Sequence, residues 1–313
     1  MTVHQTAYLS PHRLKICHED IGNPSRDLSA VRASTSRAFT ATELLVVIGL
    51  VAILAALLIP AAATAHRAAA RASELSAARQ VTQAWTAYAI DQQGQLIPGF
   101  KHGLPAFEPD GTPIPINSYG GGATIAARWP WRLAPYFAGD MRALYVGDHG
   151  EFLSRLGGGD HGEMLYFASL YPSFAMNSTW VGGDSERMGF QPHTLPSGAP
   201  HPLARFYISR LAQFTHPQRV SVFVSSRTAA TVDGQTLPGY FRVESPWLVQ
   251  SQWGARYDPD DPVSCGNVRA RWGDEAVVAT ADGAVEGIAI ESLRDMRRWA
   301  DQADTVDFRL TPP

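Results

Sequence analysis

Residues 44–65, LLVVIGLVAILAALLIPAAATA, contain no charged side chain. At 1.5 Å per residue this run makes about 33 Å of helix, and the hydrocarbon core of a bilayer is about 30 Å thick. Length and lack of charge together predict a membrane-crossing helix. The pattern then changes without a break. Residues 66–91, HRAAARASELSAARQVTQAWTAYAID, are rich in Ala and free of Gly and Pro, which suits a helix. Leu75, Ala78, Val81, Trp85 and Tyr88 recur at steps of three or four and mark one apolar stripe. The same helix is therefore expected to leave the membrane and lie on a soluble domain, ending at Gly94 and Pro98. This divides the chain into a polar leader (1–38), a membrane half of the helix (39–65), an amphipathic half (66–98) and a β-rich remainder (99–313).

The remainder reads as short strands among long loops, as 27 Gly and 22 Pro in the whole chain suggest. Candidate strands are Phe206–Ile208, Val220–Ser225, Tyr240–Val243, Glu275–Ala281 and Val285–Ile290. The last two flank Asp282-Gly283, a strong signal for a two-residue hairpin turn of type I′. A helix over Glu291–Ala303 is expected to close the domain. The fold class is α+β: a long N-terminal helix packed on an antiparallel sheet with long loop insertions.

The segment Arg37–Glu43 reads RAFTATE. A charged leader ends in a small residue, Phe follows, and Glu comes four residues later, just before the apolar run. This resembles the cleavage and methylation motif of the type IV pilin and type II secretion pseudopilin family. The resemblance implies a cut by prepilin peptidase between Ala38, where Gly is usual, and Phe39, whose new amine is then N-methylated. It implies an assembly role for Glu43, and it places Pro60 where many members carry a helix-kinking proline. The expected partners are prepilin peptidase, other pilin-like subunits packed through their helices, and an inner-membrane assembly machinery. The expected location is the bacterial inner membrane, single-pass, with the C-terminal part periplasmic or in a filament. Physical chemistry gives Glu43 separate weight. A carboxylate within a membrane helix costs about 2.5–3.5 kcal/mol on insertion scales, so it usually has a partner. In the family that partner is the amine of a neighbouring subunit.

The C-terminal text carries a second resemblance. Asn267–Ala303, with Asp282-Gly283 inside DGAVE, is similar to the end of large pilin-like proteins of planctomycetes and verrucomicrobia, as are Tyr171–Gly183 and the stretch around Pro217–Ser225. Trp272 and Ala284 stand where many of those carry His.

A rival reading uses Arg32 and Arg37 as a basic region and Ala63-Thr64-Ala65 as an A-x-A site of an ordinary secretory signal, releasing a binding or enzymatic domain that starts at His66; a plain signal anchor would tether the same domain. Against a secretory signal stand Glu43, the long basic segment and the helical pattern past Ala65. No Ser-His-Asp or Cys-His grouping has a supporting motif, so no enzyme is expected. Net charge is −3, and a chain beginning at Phe39 holds 21 basic and 26 acidic residues, a net of −5 without a basic stripe, which argues against nucleic acid. No cofactor is expected. Asp258, Asp260 and Asp261 form a weak candidate for Ca²⁺, with an exposed proline-rich turn as the plainer reading. The two Asp-His-Gly triplets at 148–150 and 160–162 read as solvated loops rather than metal ligands. Cys17 and Cys265 fit no metal spacing, and Cys265 reads as a partly buried free thiol. Trp129, Trp131, Trp180, Trp247, Trp253 and Trp272 fall in loop-like text and are expected to pack rather than to stack on sugars.

Overall fold

The structure is a computed structural model that describes residues 39–114, 122–192, 194–199, 201, 203–204, 206–232 and 235–311. Ala-, Leu- and Val-rich text with a single proline forms α1 (Ala41–Asp91), a helix of 51 residues with Pro60 inside it. Pro60 has no N–H to give the helix, and Thr64 Oγ1 donates to its carbonyl oxygen at 2.9 Å. The helix stops where Gln93 and Gly94 turn left-handed, and the Gly94 N–H donates to Ala89 O at 2.7 Å.

Two compact units divide the chain, Met1–Leu57 and Leu58–Pro313. In the first, Phe39 and the large apolar side chains from Leu44 to Leu57 are all exposed. α1 is long and apolar enough to cross a membrane, and none of its most apolar 18-residue window is buried against the described residues.

In the second unit the later half of α1 packs on an antiparallel sheet, giving an α+β architecture. The sheet has the order β1-β2-β5-β6, formed by β1 (Phe174–Met176), β2 (Ser221–Ser225), β5 (Glu275–Thr280) and β6 (Val285–Ala289). Met176 pairs with Phe223, Val224 with Val278, and Val277 with Gly287. All of β1 and β2 are buried, so neither shows the alternation of a half-exposed strand. Asn177 ties the sheet to the C-terminal segment by donating from Nδ2 to Ser221 O and Trp299 O, each at 2.9 Å. A separate two-stranded ladder joins β3 (Arg227–Val232) to β4 (Gln235–Pro238). Trp129, Trp131, Trp180, Trp253 and Trp299 are buried, and each indole N–H donates to a protein oxygen.

The structure corrects several sequence expectations. Phe206–Ile208 and Tyr240–Val243 are not strands. Each contributes one parallel bridge, Ile208 to Val181 and Arg242 to Met176. The expected helix over Glu291–Ala303 is instead two 3₁₀ turns, Ile290–Arg294 and Met296–Arg298. Asp295 separates them in extended backbone, and its Oδ1 accepts from Arg297 N at 3.0 Å. The loop-like text also hides helices: α2 (Gly122–Ala127), α3 (Pro130–Leu133), α4 (His149–Leu156) and α5 (His161–Leu170). The Asp-His-Gly triplets are the starts of α4 and α5. Asp160 caps α5 by accepting from Glu163 N at 2.9 Å.

The β5–β6 turn also differs from the expected type. Gly283 N–H donates to Thr280 O at 3.0 Å, and Thr280 N–H donates to Ala284 O at 2.9 Å. Of Ala281, Asp282 and Gly283, only Gly283 has positive φ, at 92°. The loop therefore has three residues with glycine in the left-handed position. Asp282 Oδ1 selects this form by accepting from Thr280 Oγ1 (2.6 Å) and Ala284 N (3.1 Å).

Candidate functional site

The start of α1 is held by a reciprocal cap. Glu43 Oε2 accepts from Thr40 N at 2.9 Å and from Thr40 Oγ1 at 2.8 Å, while Glu43 N–H donates to Thr40 Oγ1 at 3.2 Å. Thr40-Ala41-Thr42-Glu43 is thus a capping box, which satisfies helix-end N–H groups that have no partner inside the helix. The spacing was visible in the sequence as T-x-x-E before an apolar run. Glu43 therefore has a local partner within its own chain. Phe39 precedes the box and is 72% exposed. Ala38, Arg37, Arg32 and Cys17 lie outside the described residues.

The packed half of α1 carries a charge that the periodicity did not flag. Its buried face is Glu74, Ala77, Ala78, Val81, Thr82, Ala84, Trp85 and Ala89, with Leu75 and Tyr88 partly buried beside it. Glu74 is fully buried. Its Oε2 accepts from Trp272 Nε1 at 2.8 Å, and its Oε1 stands 3.1 Å from Arg271 Nε, an ion pair without hydrogen-bond geometry. Arg71 pairs with Glu275 one turn earlier on a half-exposed edge. The C-terminal segment thus closes over α1 through charged and aromatic side chains of β5 and the residues before it. Stepping back by three and four from Ala78 leads to Glu74 and Arg71, so both were already in register with the apolar stripe.

No family model, curated protein or solved structure matches this chain.

The remaining candidates fall apart in space or have local tasks. Asp258, Asp260 and Asp261 are exposed in a turn where Asp258 Oδ1 accepts from Asp260 N at 2.9 Å. Among the described residues no three His, Cys, Asp or Glu side chains converge as a metal site. Cys265 is fully buried rather than partly so, and burial pushes its thiol pKa up, away from reactivity. Trp247 and Trp272 are partly buried, the former under Arg309 at 3.8 Å and the latter on Glu74. Sequence reasoning also missed a buried charge network in which Arg242 meets Asp184 (3.0 Å), Glu186 (3.1 Å) and Glu244 (3.1 Å). Burial works against the Arg242 charge, but the Asp184 and Glu244 carboxylates outweigh it and hold its pKa above the ordinary value.

His149 is another buried group with a consequence. Burial, reinforced by Arg271 and Arg269, lowers its pKa from 6.5 to about 3. The unfolded chain takes up a proton below pH 6.5, whereas the folded chain resists it until about pH 3. Stability is therefore complete above pH 6.5 and falls across that window, by on the order of 4 kcal/mol at its foot. His149→Asn, whose side-chain oxygen can replace Nδ1 as an acceptor, is expected to flatten this slope in acid-unfolding curves recorded between pH 7 and pH 3. An unchanged slope would assign the acid sensitivity to other groups.

Proposed function

We propose that this chain is a membrane-anchored structural subunit, cut between Ala38 and Phe39 and assembled through α1 into a pilus-type filament or secretion pseudopilus. The observation that carries the reading is the chemistry of one helix. Between Phe39 and Ala65 the single charge is Glu43, the large apolar side chains are exposed, and the following half of the same helix is anchored in a folded domain. A surface that apolar needs lipid or like helices to cover it. Both covers serve one subunit in turn, lipid before assembly and neighbouring helices after it. The RAFTATE motif supports the cleavage point, and the location in a bacterial inner membrane follows from the same reading.

One observation favours the rival secretory reading. Residues 66–69 are exposed, and contact of α1 with the folded unit begins near Ala70. A chain starting at His66 would keep the whole packed face. N-terminal sequencing and intact mass of the mature protein separate the two. The pilin-like reading expects a first residue of N-methylated Phe39 and loss of residues 1–38. A mature chain beginning at His66 would replace it with a secreted domain.

A further inference from the structure

A cavity of about 460 Å³ opens where α4 meets β4 and the segment before β5, lined among others by Asp148, His149, Arg155, Thr236, Arg269 and Arg271. Its polar wall is mainly cationic. Arg271 is partly matched by Glu74 at 3.1 Å. The guanidinium groups of Arg269 and Arg155 have no ion pair or hydrogen bond among the described residues, although the Arg269 backbone pairs with Ser225. Arg227 adds its charge to the field at Arg269 while its Nη1 donates to Pro259 O at 2.7 Å. Desolvation and the like charges of Arg271 and Arg227 lower the Arg269 pKa to about 10, against the opposing pull of the more distant Glu74, so the guanidinium stays charged at neutral pH without a direct ion pair. The one opposing carboxylate that lines the space is Asp148, whose side chain makes no capping bond to α4.

The second, independent feature is His149. It is 4% exposed, and its Nε2 is buried without a partner. Ser173 Oγ accepts from Val146 N–H at 2.9 Å and lies 2.6 Å from His149 Nδ1, to which its own hydrogen can be given. In that tautomer the neutral ring carries its proton on Nε2. Gly239 makes room for this ring. A Cβ there would lie 2.2 Å from Pro172 O and 2.9 Å from His149 Cε1, and its φ of 96° suits glycine. A buried, unpartnered N–H donor beside unpaired guanidinia is the donor set that oxyanion sites use.

We infer that this cavity binds a small tetrahedral oxyanion of the phosphate or sulfate type, held by Arg269 and Arg155 with His149 Nε2–H as a neutral donor. Arginine forks match such oxygens in pairs, and the cavity has room for an ester group on the anion as well. Asp148 limits the site to anions strong enough to outweigh its repulsion, which disfavours chloride.

The test is isothermal titration of the full chain in neutral detergent micelles at pH 7, with sodium phosphate, sodium sulfate or glucose 6-phosphate exchanged against sodium chloride at constant ionic strength. Saturable one-site binding of phosphate or sulfate over chloride is expected. Arg269→Gln should weaken it about tenfold or more, and the exposed Arg155→Gln, which leaves the fold intact, by at least about threefold. Binding of glucose 6-phosphate at least as tight as phosphate would also support the site and assign it to an ester. Equal heats for phosphate and chloride, or unchanged affinity in a folded Arg155→Gln together with Arg269→Gln, would overturn the inference.

Discussion

Arg271→Met should destabilise the folded unit by about 3–5 kcal/mol, because it strands the buried Glu74 carboxylate without its ion-pair partner. The Glu74 side chain is 1% exposed and that of Arg271 12%, so solvent screens the pair little. The informative comparison is the double variant Glu74→Leu/Arg271→Met. It removes both charges and is expected to recover most of the loss, since a well-packed apolar pair is often as stable as a buried ion pair. Trp272 Nε1 then loses its acceptor, so recovery should fall short by about 1 kcal/mol or more. Urea unfolding followed by tryptophan fluorescence reports all three variants. A single variant as stable as wild type would mean that Glu74 is neutral or hydrated in the folded chain.

That such a pair exists was only half legible. The membrane-length run, the continuation of α1 and its apolar stripe could be read directly, because length and a 3.6-residue period are properties of neighbouring letters. The same holds for β5 and β6, which flank a turn with Asp-Gly. Glu74 stood in register with the stripe, but its charge argued for solvent, and its partners lie about 200 positions away. α4 and α5 were hidden for another reason. Helices of eight and ten residues draw most of their stability from tertiary contacts, so their text need not look helical. β1 has three residues, all buried, and offers too few letters for any period. The cationic cavity was not legible either, since Arg155, Arg269 and His149 come from segments that nothing in their local pattern relates. At the helix start, the letters T-A-T-E were seen as a processing motif while their role as a cap went unread, although both readings use Glu43.

On the proposed reading, Glu43→Ala is expected to insert in the membrane, to be cut after Ala38, and then to lose most of its incorporation into filaments. Insertion survives because the change removes a charge from the apolar boundary. Incorporation suffers because the carboxylate is the one charged group on the exposed helix that can meet a neighbour's amine, and attraction strengthens as water is excluded. The capping box gives the experiment its control. Glu43→Ala also removes the N3 half of the capping box, whereas Thr40→Ala, a change at the N-cap itself of the kind that costs about 0.5–2 kcal/mol, disrupts the cap and keeps the carboxylate. Recovery in sheared surface fibres, after mature mass and membrane fraction are verified, should therefore be low for Glu43→Ala and near wild type for Thr40→Ala. Equal losses would make helix capping the relevant role. Normal recovery of Glu43→Ala would remove the physical reason for an assembly role.

The closure of α1 by the C-terminal segment also sets an order of events in time. Trp272 meets Glu74 across 198 positions, and Arg71 meets Glu275 across 204. β2 and β5 likewise pair across a long intervening stretch. Loops of this length close slowly, and domains dominated by them fold slowly. While the chain is being synthesised, the Glu74 carboxylate remains bare until nearly the last strand has emerged, although Trp85 and Tyr88 can already meet Phe214 and Tyr136. An unfinished chain exposes a sticky stripe next to an apolar helix, the kind of intermediate that aggregates or is degraded. Ribosome-stalled chains ending before Arg271 should therefore be protease-sensitive throughout the region after α1, and resistance should arise abruptly once β5 and β6 are available rather than accumulate with length.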